Sequence, residues 1–204
     1  MTVRGISSED GPFEESYRRR PGLDRAGYEA YTAQDGSLDR HSTAYVKALN
    51  GARAAVVVTG VQFEEVFGGT AYGNAGYSAP VDPGAPRDGG LVTYAGNYVG
   101  LLNGPGSSED LAPVAPGTSD SVRSQQAAEV TGHVLLTGSF SDRKVDGVIY
   151  DREILDPTPQ SIEDIALDLT SIDENGMFAG NASQDDAIVG DYGGVFNGVG
   201  ATEV

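Results

Sequence analysis

The sequence predicts an all-β protein whose second part is an antiparallel, eight-stranded up-and-down barrel. Segment 94–100 alternates Tyr and Gly with a spacing of two, which places these residues on one face of a β-strand. Similar alternations of glycine with large apolar residues recur at 132–140 and 190–196. Of the 29 glycines, eight follow Asn or Asp, a pairing that is typical of tight hairpin turns. Short antiparallel strands joined by turns are therefore expected.

Large side chains next to glycines suit the tapering interior of a small closed barrel, where an aromatic ring covers the space beside a glycine. We therefore expect six side chains to fill the barrel interior and leave no lumen for a ligand. Binding would then fall to loops and to the N-terminal part. The six predicted interior residues are Tyr94, Tyr98, Leu136, Phe140, Tyr192 and Phe196.

The first part, residues 1–88, is predicted to be a handle-like segment with short strands. It contains a run of three arginines at 18–20, which could dock an acidic partner, lie in a solvated loop or contact the acidic second part. Segment 54–59 is rich in β-branched residues and predicts a buried strand, and 63–72 predicts another with a bend at its glycine pair. The prolines of 78–90 mark the boundary before the barrel domain, 89–204.

The barrel domain contains six segments with strand character. A stretch from 104 to 126 separates the first two and is long enough to be a functional or mobile loop. The connection at 141–143 is hairpin-like, and 173–176 forms another turn. The predicted strands are 91–102, 129–140, 144–153, 164–170, 176–180 and 188–197.

The net charge of −17 is confined to one part of the chain. Residues 1–53 hold eight basic and eight acidic residues, whereas 54–204 hold five and 22, so that 5 − 22 = −17. Such a surface repels nucleic acid and anionic membranes and favours basic partners. The chain as given has no cysteine, which excludes disulfides within it and leaves attachment to a membrane through a lipid-acceptor Cys unproven. It contains no apolar segment long enough for a transmembrane helix. Residues 1–10 also lack the apolar core of a signal peptide.

Few residues in the sequence suggest chemistry. His41 and His133 are the only histidines, and His41 is the better candidate for a haem or metal contact. Calcium is kept as an alternative because Asp173 and Asn175, together with the 185–191 carboxylates, put oxygen ligands in loops. No nucleophile elbow and no phosphate-binding loop occur. We therefore expect neither an enzyme nor a required cofactor.

The order of these motifs resembles transferrin-binding-protein-B-like β-barrel domains. Segment 94–100 resembles the opening strand, 130–149 the central hairpin, and 175–180 the short strand written Gly-x-Phe-x-Gly. Segment 190–204 is similar to the closing signature. In the family, the Ala-x-Glu-Val stretch leads into a final strand, and this sequence stops at Val204, so closure of the barrel within this chain is left open.

The resemblance covers 91–204 and implies a non-enzymatic binding protein of a bacterial surface. Such a protein is an outer-membrane surface lipoprotein or a secreted relative with an N-terminal handle, and it captures a protein ligand. One alternative is a secreted haem-binding protein that uses His41 as an iron ligand. A second is a structural subunit of an extracellular assembly or virion, which self-associates when an open barrel edge takes a strand from a neighbour.

Overall fold

The computed structural model describes residues 1–7, 11–61, 66–80 and 91–204, and for 4–7 and 11–13 it describes the backbone alone. This part of the chain contains no α-helix, which confirms the all-β prediction. Short 3₁₀ turns lie at Pro21–Leu23 and Asp120–Val122. The strands are β1 Thr2–Ser7, β2 Gly11–Ser16, β3 Arg18–Arg19, β4 Glu29–Ala33, β5 Ser42–Leu49, β6 Ala52–Thr59, β7 Gly68–Gly73, β8 Tyr77–Ser78, β9 Leu91–Pro105, β10 Ala127–Ser139, β11 Lys144–Ile154, β12 Gln160–Ile162, β13 Ile165–Ser171, β14 Met177–Gln184, β15 Ala187–Val195 and β16 Gly198–Val199.

The second part forms a curled antiparallel sheet in the order β15-β14-β13-β11-β10-β9, with β12 beside β11. Its six main strands make a half-barrel, so the predicted barrel is confirmed only as a curled, barrel-like sheet. Closure into eight strands is not confirmed, because β9 and β15 do not pair with each other. Both edges lie instead beside strands of the first part, β9 beside β6 and β15 beside β7.

The glycine and aromatic alternation has a direct structural cause in the β14–β15 hairpin. Phe178 lies directly opposite Gly194, and Tyr192 directly opposite Gly180. A Cβ atom on Gly194 would lie 2.3 Å from the Phe178 ring, and one on Gly180 would lie 2.8 Å from the Tyr192 ring. Each ring therefore fills the space above the glycine of the facing strand, which only glycine leaves free.

The predicted interior residues lie mainly in one hydrophobic core on the concave face of the half-barrel. Leu136, Phe140 and Phe196 are buried in this core, and Tyr94 and Tyr192 pack against it while half-buried. Tyr98 is placed elsewhere. Its hydroxyl lies over Gly100, and the Arg152 guanidinium stands 5.8 Å from its ring centre. The core also contains residues that the pattern did not mark, namely Val145, Leu167, Ile172, Phe178, Ala182 and Ala201.

The first part forms a five-stranded antiparallel sheet, β3-β4-β5-β6-β7, that packs on the half-barrel. A second hydrophobic cluster joins the two, with Leu23, Ala30 and Tyr45 from the first part and Val99 from β9. Strands β8 and β16 form a short parallel pair that ties the two parts together again. The division at 88/89 stays a prediction, and most of the boundary segment, 81–90, lies outside the described residues, as do 63–65 of the predicted second strand. A search of the described residues finds no helix able to cross a membrane.

Candidate functional site

The best candidate site is a cleft of about 320 Å³ between the five-stranded sheet and the long loop that follows β9. One wall carries Arg18 and Arg20, with Thr32 and Gln34 of the neighbouring strand region beside them. The other wall is loop segment 109–113. We call this site the Arg20 cleft.

An ion pair closes one end of the Arg20 cleft. Arg20 Nε lies 2.7 Å from Asp110 Oδ1 and donates to Thr32 Oγ1 at 3.2 Å. The Ala112 amide donates to Gln34 Oε1 at 2.8 Å, so the loop is attached to the sheet at two points. The arginine run thus contacts the acidic second part through Arg20, as one interpretation of the sequence expected.

The other two arginines of the run, Arg18 and Arg19, do not pair with the long loop. Arg19 makes a bidentate pair with Asp24, with both N···O distances at 2.6 Å. Arg18 is exposed and forms no ion pair with any residue that the structure describes. Its guanidinium is therefore available to a ligand at the rim of the Arg20 cleft.

His41, the predicted haem contact, lies behind this cleft and is completely buried. Its Nε2 is 3.1 Å from Asp110 Oδ2, while Nδ1 has no hydrogen-bond partner among the described residues. Burial lowers the pKa of His41, and the neighbouring Asp110 carboxylate opposes this. The ring is therefore a buried link between sheet and loop, with neither nitrogen open to solvent. The other histidine, His133, is exposed beside the Tyr150 ring.

The sequence marked His41 and the loop 104–126 separately, and nothing in it connected the histidine to Asp110. His41 lies just before β5, where its carbonyl accepts a hydrogen bond from Gly60 N at 2.8 Å. Asp110 comes from the long loop, 69 positions away along the chain. The predicted functional loop is therefore the element that brings the acid to the histidine.

A second polar group, between the two sheets, was missed by the sequence reasoning. Glu129 of β10 is fully buried, and its Oε2 lies 2.8 Å from Arg25 Nε. The Arg25 N–H is not well aligned with either carboxylate oxygen, so this contact is an ion pair rather than an aligned hydrogen bond. Burial raises the pKa of Glu129, and the Arg25 charge opposes the rise. No local pattern marks either residue.

The loop carboxylates considered for calcium have structural roles in the turns. Asp173 Oδ1 accepts hydrogen bonds from the Asn175 and Met177 amides, both at 2.8 Å. Asp185 and Asp186 occupy the turn between β14 and β15 with φ of 49° and 62°. The described residues contain no group of three or more His, Asp or Glu side chains that could hold a metal ion. Calcium binding stays a prediction.

Gly60 sets how closely the end of the long loop docks on the sheet. A Cβ atom there would lie 1.5 Å from the Gln125 carbonyl oxygen, which is backbone and cannot swing aside. We expect Gly60→Ala to lower the free energy of unfolding by about 3 kcal/mol, as other overpacking substitutions do. Urea denaturation measures this, with Gly69→Ala as control because nothing lies within 4 Å of its Cβ position. Equal stability of the two variants would contradict the docking.

The buried histidine predicts an acid-sensitive fold. Because the folded-state pKa of His41 lies below its ordinary value of 6.5, the unfolded chain takes up the proton first as the pH falls. Stability should therefore decline as the pH drops below that value. Between about pH 7.5 and pH 5, we expect the free energy of unfolding to fall less in the His41→Asn variant than in the wild type. The exposed His133→Asn is the control, and an identical effect of both substitutions would count against the prediction.

Together the fold and the site define an all-β protein whose two main sheets pack together, with a filled core and an open surface cleft. No protein-family model matches the sequence, and no curated protein matches it either. The resemblance to transferrin-binding-protein-B-like domains therefore stays a prediction from the motifs.

Proposed function

We propose that this chain is a non-enzymatic binding protein that acts outside the cytoplasm and takes a protein ligand at the Arg20 cleft. The observation that carries the proposal is the contrast between the half-barrel and the Arg20 cleft. The concave face of the half-barrel is filled by its own aromatic side chains, whereas the Arg20 cleft is open.

The filling of the half-barrel favours a surface site over an internal one. Phe196 is fully buried, and its ring centre lies 5.0 Å from Phe140, 5.2 Å from Phe178 and 5.3 Å from Tyr94. Three aromatic rings packed around Phe196 leave a small ligand no space at this point of the core. A ligand of this protein would therefore bind on the outside.

The side chains of the Arg20 cleft suit a protein surface. Arg18 and Arg20 supply positive charge on one wall, and Glu109 and Asp110 supply negative charge on the other. Leu111 adds an apolar side chain to the loop wall. Apolar groups combined with charged groups are the usual composition of a protein-binding surface. Arginines at such a surface often contribute much of the binding energy.

Affinity capture with the full chain tests the proposal. The chain is incubated with culture medium or host fluid, and each retained protein is purified and titrated by calorimetry against the wild type, Arg18→Glu and Arg53→Glu. Both arginines are exposed, but Arg53 lies on β6 outside the cleft. We expect Arg18→Glu to weaken binding about tenfold or more and Arg53→Glu to leave it unchanged. The proposal is rejected if the retained ligand binds the wild type and both variants equally, or if no protein is retained.

The haem alternative stays a prediction. Because His41 is buried and its Nε2 faces Asp110, an axial bond would require the loop to move away first. Haemin titration of the wild type and His41→Ala tests it through the Soret band.

The structural-subunit alternative is tested by light scattering at high concentration, and the proposed location by antibody detection in cell-surface and medium fractions.

A further inference from the structure

We infer that the outer edge of β15 at 187–190 accepts an extended, basic segment of another protein as an added β-strand. This second interaction surface lies outside the Arg20 cleft and does not depend on it. Three features of this edge support an added strand, namely its open main chain, its two exposed β-branched side chains and its negative charge.

The main chain of this edge is open among the described residues. β15 hydrogen-bonds to β14 on one side and pairs with no other described strand. On its other side β7 approaches the C-terminal half, where the Tyr72 hydroxyl stands over Gly193. In the N-terminal half all four residues, 187–190, are exposed, and nothing in the described ranges lies within 4 Å of the Cβ position of Gly190. Unpaired N–H and C=O groups at a sheet edge are a template for a further strand.

The side chains of this edge favour pairing rather than prevent it. Ile188 is 66% exposed and Val189 is 53% exposed, and both are β-branched residues that pair well across strands. Sheet edges are protected by lysine, by proline or by β-bulges, and 187–190 contains neither lysine nor proline. The register with β14 does shift at Val189, so the added strand would pair on either side of this one irregularity. The tight turn at Asp185–Asp186 holds the segment against β14 through the Gln184–Ala187 pair. The edge is therefore already ordered before a partner arrives, which lowers the entropic cost of binding.

Charge determines the kind of partner. Residues 153–204 contain 11 Asp or Glu and no Lys, Arg or His. Asp185 and Asp186 precede the open edge and Asp191 follows it. A second copy would bring the same charges to the contact and be repelled. A segment of β-branched residues flanked by Lys or Arg would meet opposite charge at both ends.

Three synthetic peptides test this on the full chain: KKVTVTVKK, its acidic counterpart EEVTVTVEE, and KKVTPTVKK, in which proline disrupts the strand. Fluorescence anisotropy measures binding, and hydrogen exchange locates it. We expect the first peptide to bind at least about tenfold more tightly than the other two, and more weakly as salt is raised. The amides of 187–190 should gain protection. Equal binding of the three peptides, or protection confined to other strands, would overturn the inference.

Matched variants check the position of the site. Ile188→Lys should weaken binding of KKVTVTVKK about tenfold or more, because it places positive charge on the edge. Val199→Lys adds the same charge at a side chain that is 83% exposed outside this edge, and should leave binding nearly unchanged. Val189→Lys replaces the first variant if Ile188→Lys does not fold. The inference is overturned if KKVTVTVKK binds the wild type and the edge variant equally. It is also overturned if the free protein forms a dimer and Ile188→Lys abolishes that dimer, because a second copy would then occupy the edge.

Discussion

Replacing Phe196 with alanine is expected to lower the free energy of unfolding by about 4 kcal/mol. The side chain is fully buried and contacts the rings of Tyr94, Phe140 and Phe178. Its main-chain amide and carbonyl also hydrogen-bond, to Gly176 O at 2.8 Å and Asn74 Nδ2 at 2.9 Å, so the backbone is held and cannot collapse into the cavity. A cavity that cannot collapse adds to the lost transfer free energy of the ring.

Equilibrium urea denaturation, followed by tyrosine fluorescence and far-UV circular dichroism, measures this loss. Val199→Ala is the control because that side chain is 83% exposed, and its effect should stay within about 0.5 kcal/mol. A Phe196→Ala variant as stable as this control would mean that the ring does not hold the half-barrel together. The placement of the aromatic residues on the concave face would then be wrong.

Arg25→Ala is expected to destabilise the fold by about 3–5 kcal/mol near neutral pH, because it leaves the Glu129 carboxylate buried without its counter-charge. Arg25 Nε lies 2.8 Å from Glu129 Oε2, so Arg25 supplies the positive charge that pairs with this fully buried carboxylate. The neighbouring Tyr45 hydroxyl donates instead to the Leu23 carbonyl, at 3.3 Å. Thermal and urea denaturation at several pH values measure the effect.

The pH dependence distinguishes a buried charge from simple loss of packing. Burial raises the folded-state pKa of Glu129 above its ordinary value of 4.5, so the folded chain keeps this proton to higher pH than the unfolded chain. Without Arg25 the pKa rises further, and the stability lost by Arg25→Ala should therefore be greater at pH 7 than at about pH 4.

Two further variants complete this test. The double variant Arg25→Ala/Glu129→Gln should be more stable at pH 7 than Arg25→Ala, because it removes the uncompensated charge. Arg53→Ala on β6 is the control for loss of an exposed arginine and should change stability little. A pH-independent loss, with no recovery in the double variant, would show that Arg25 acts by packing alone.

Much of the second part could be predicted from the sequence. Each predicted strand corresponds to an observed one to within a few residues. The glycine and aromatic alternation marked these strands because residues two apart share a face of a strand. The predicted strands 91–102, 129–140, 144–153, 164–170, 176–180 and 188–197 correspond to Leu91–Pro105, Ala127–Ser139, Lys144–Ile154, Ile165–Ser171, Met177–Gln184 and Ala187–Val195.

The first part was predicted less well. Segment 1–53 is polar and mixed, and no individual strand was predicted within it, whereas the structure places β1 to β5 there. Ala30 and Tyr45 are directly paired across β4 and β5 and fully buried, although small and hydroxylated residues surround them. Their burial depends on β9, which covers them, and no periodicity within segment 1–53 indicates that β9 packs there.

The sequence by itself determined that the chain is all-β, that glycines alternate with aromatic residues on one face of a strand, and where the strands of the half-barrel run. The tertiary structure alone decided that His41 meets Asp110, that Arg25 meets Glu129, and that 187–190 is left as an open edge. The reason is physical. Strand character is recorded in residues two apart, whereas an ion pair or an unpaired edge depends on how whole sheets pack, and no local pattern specifies that arrangement.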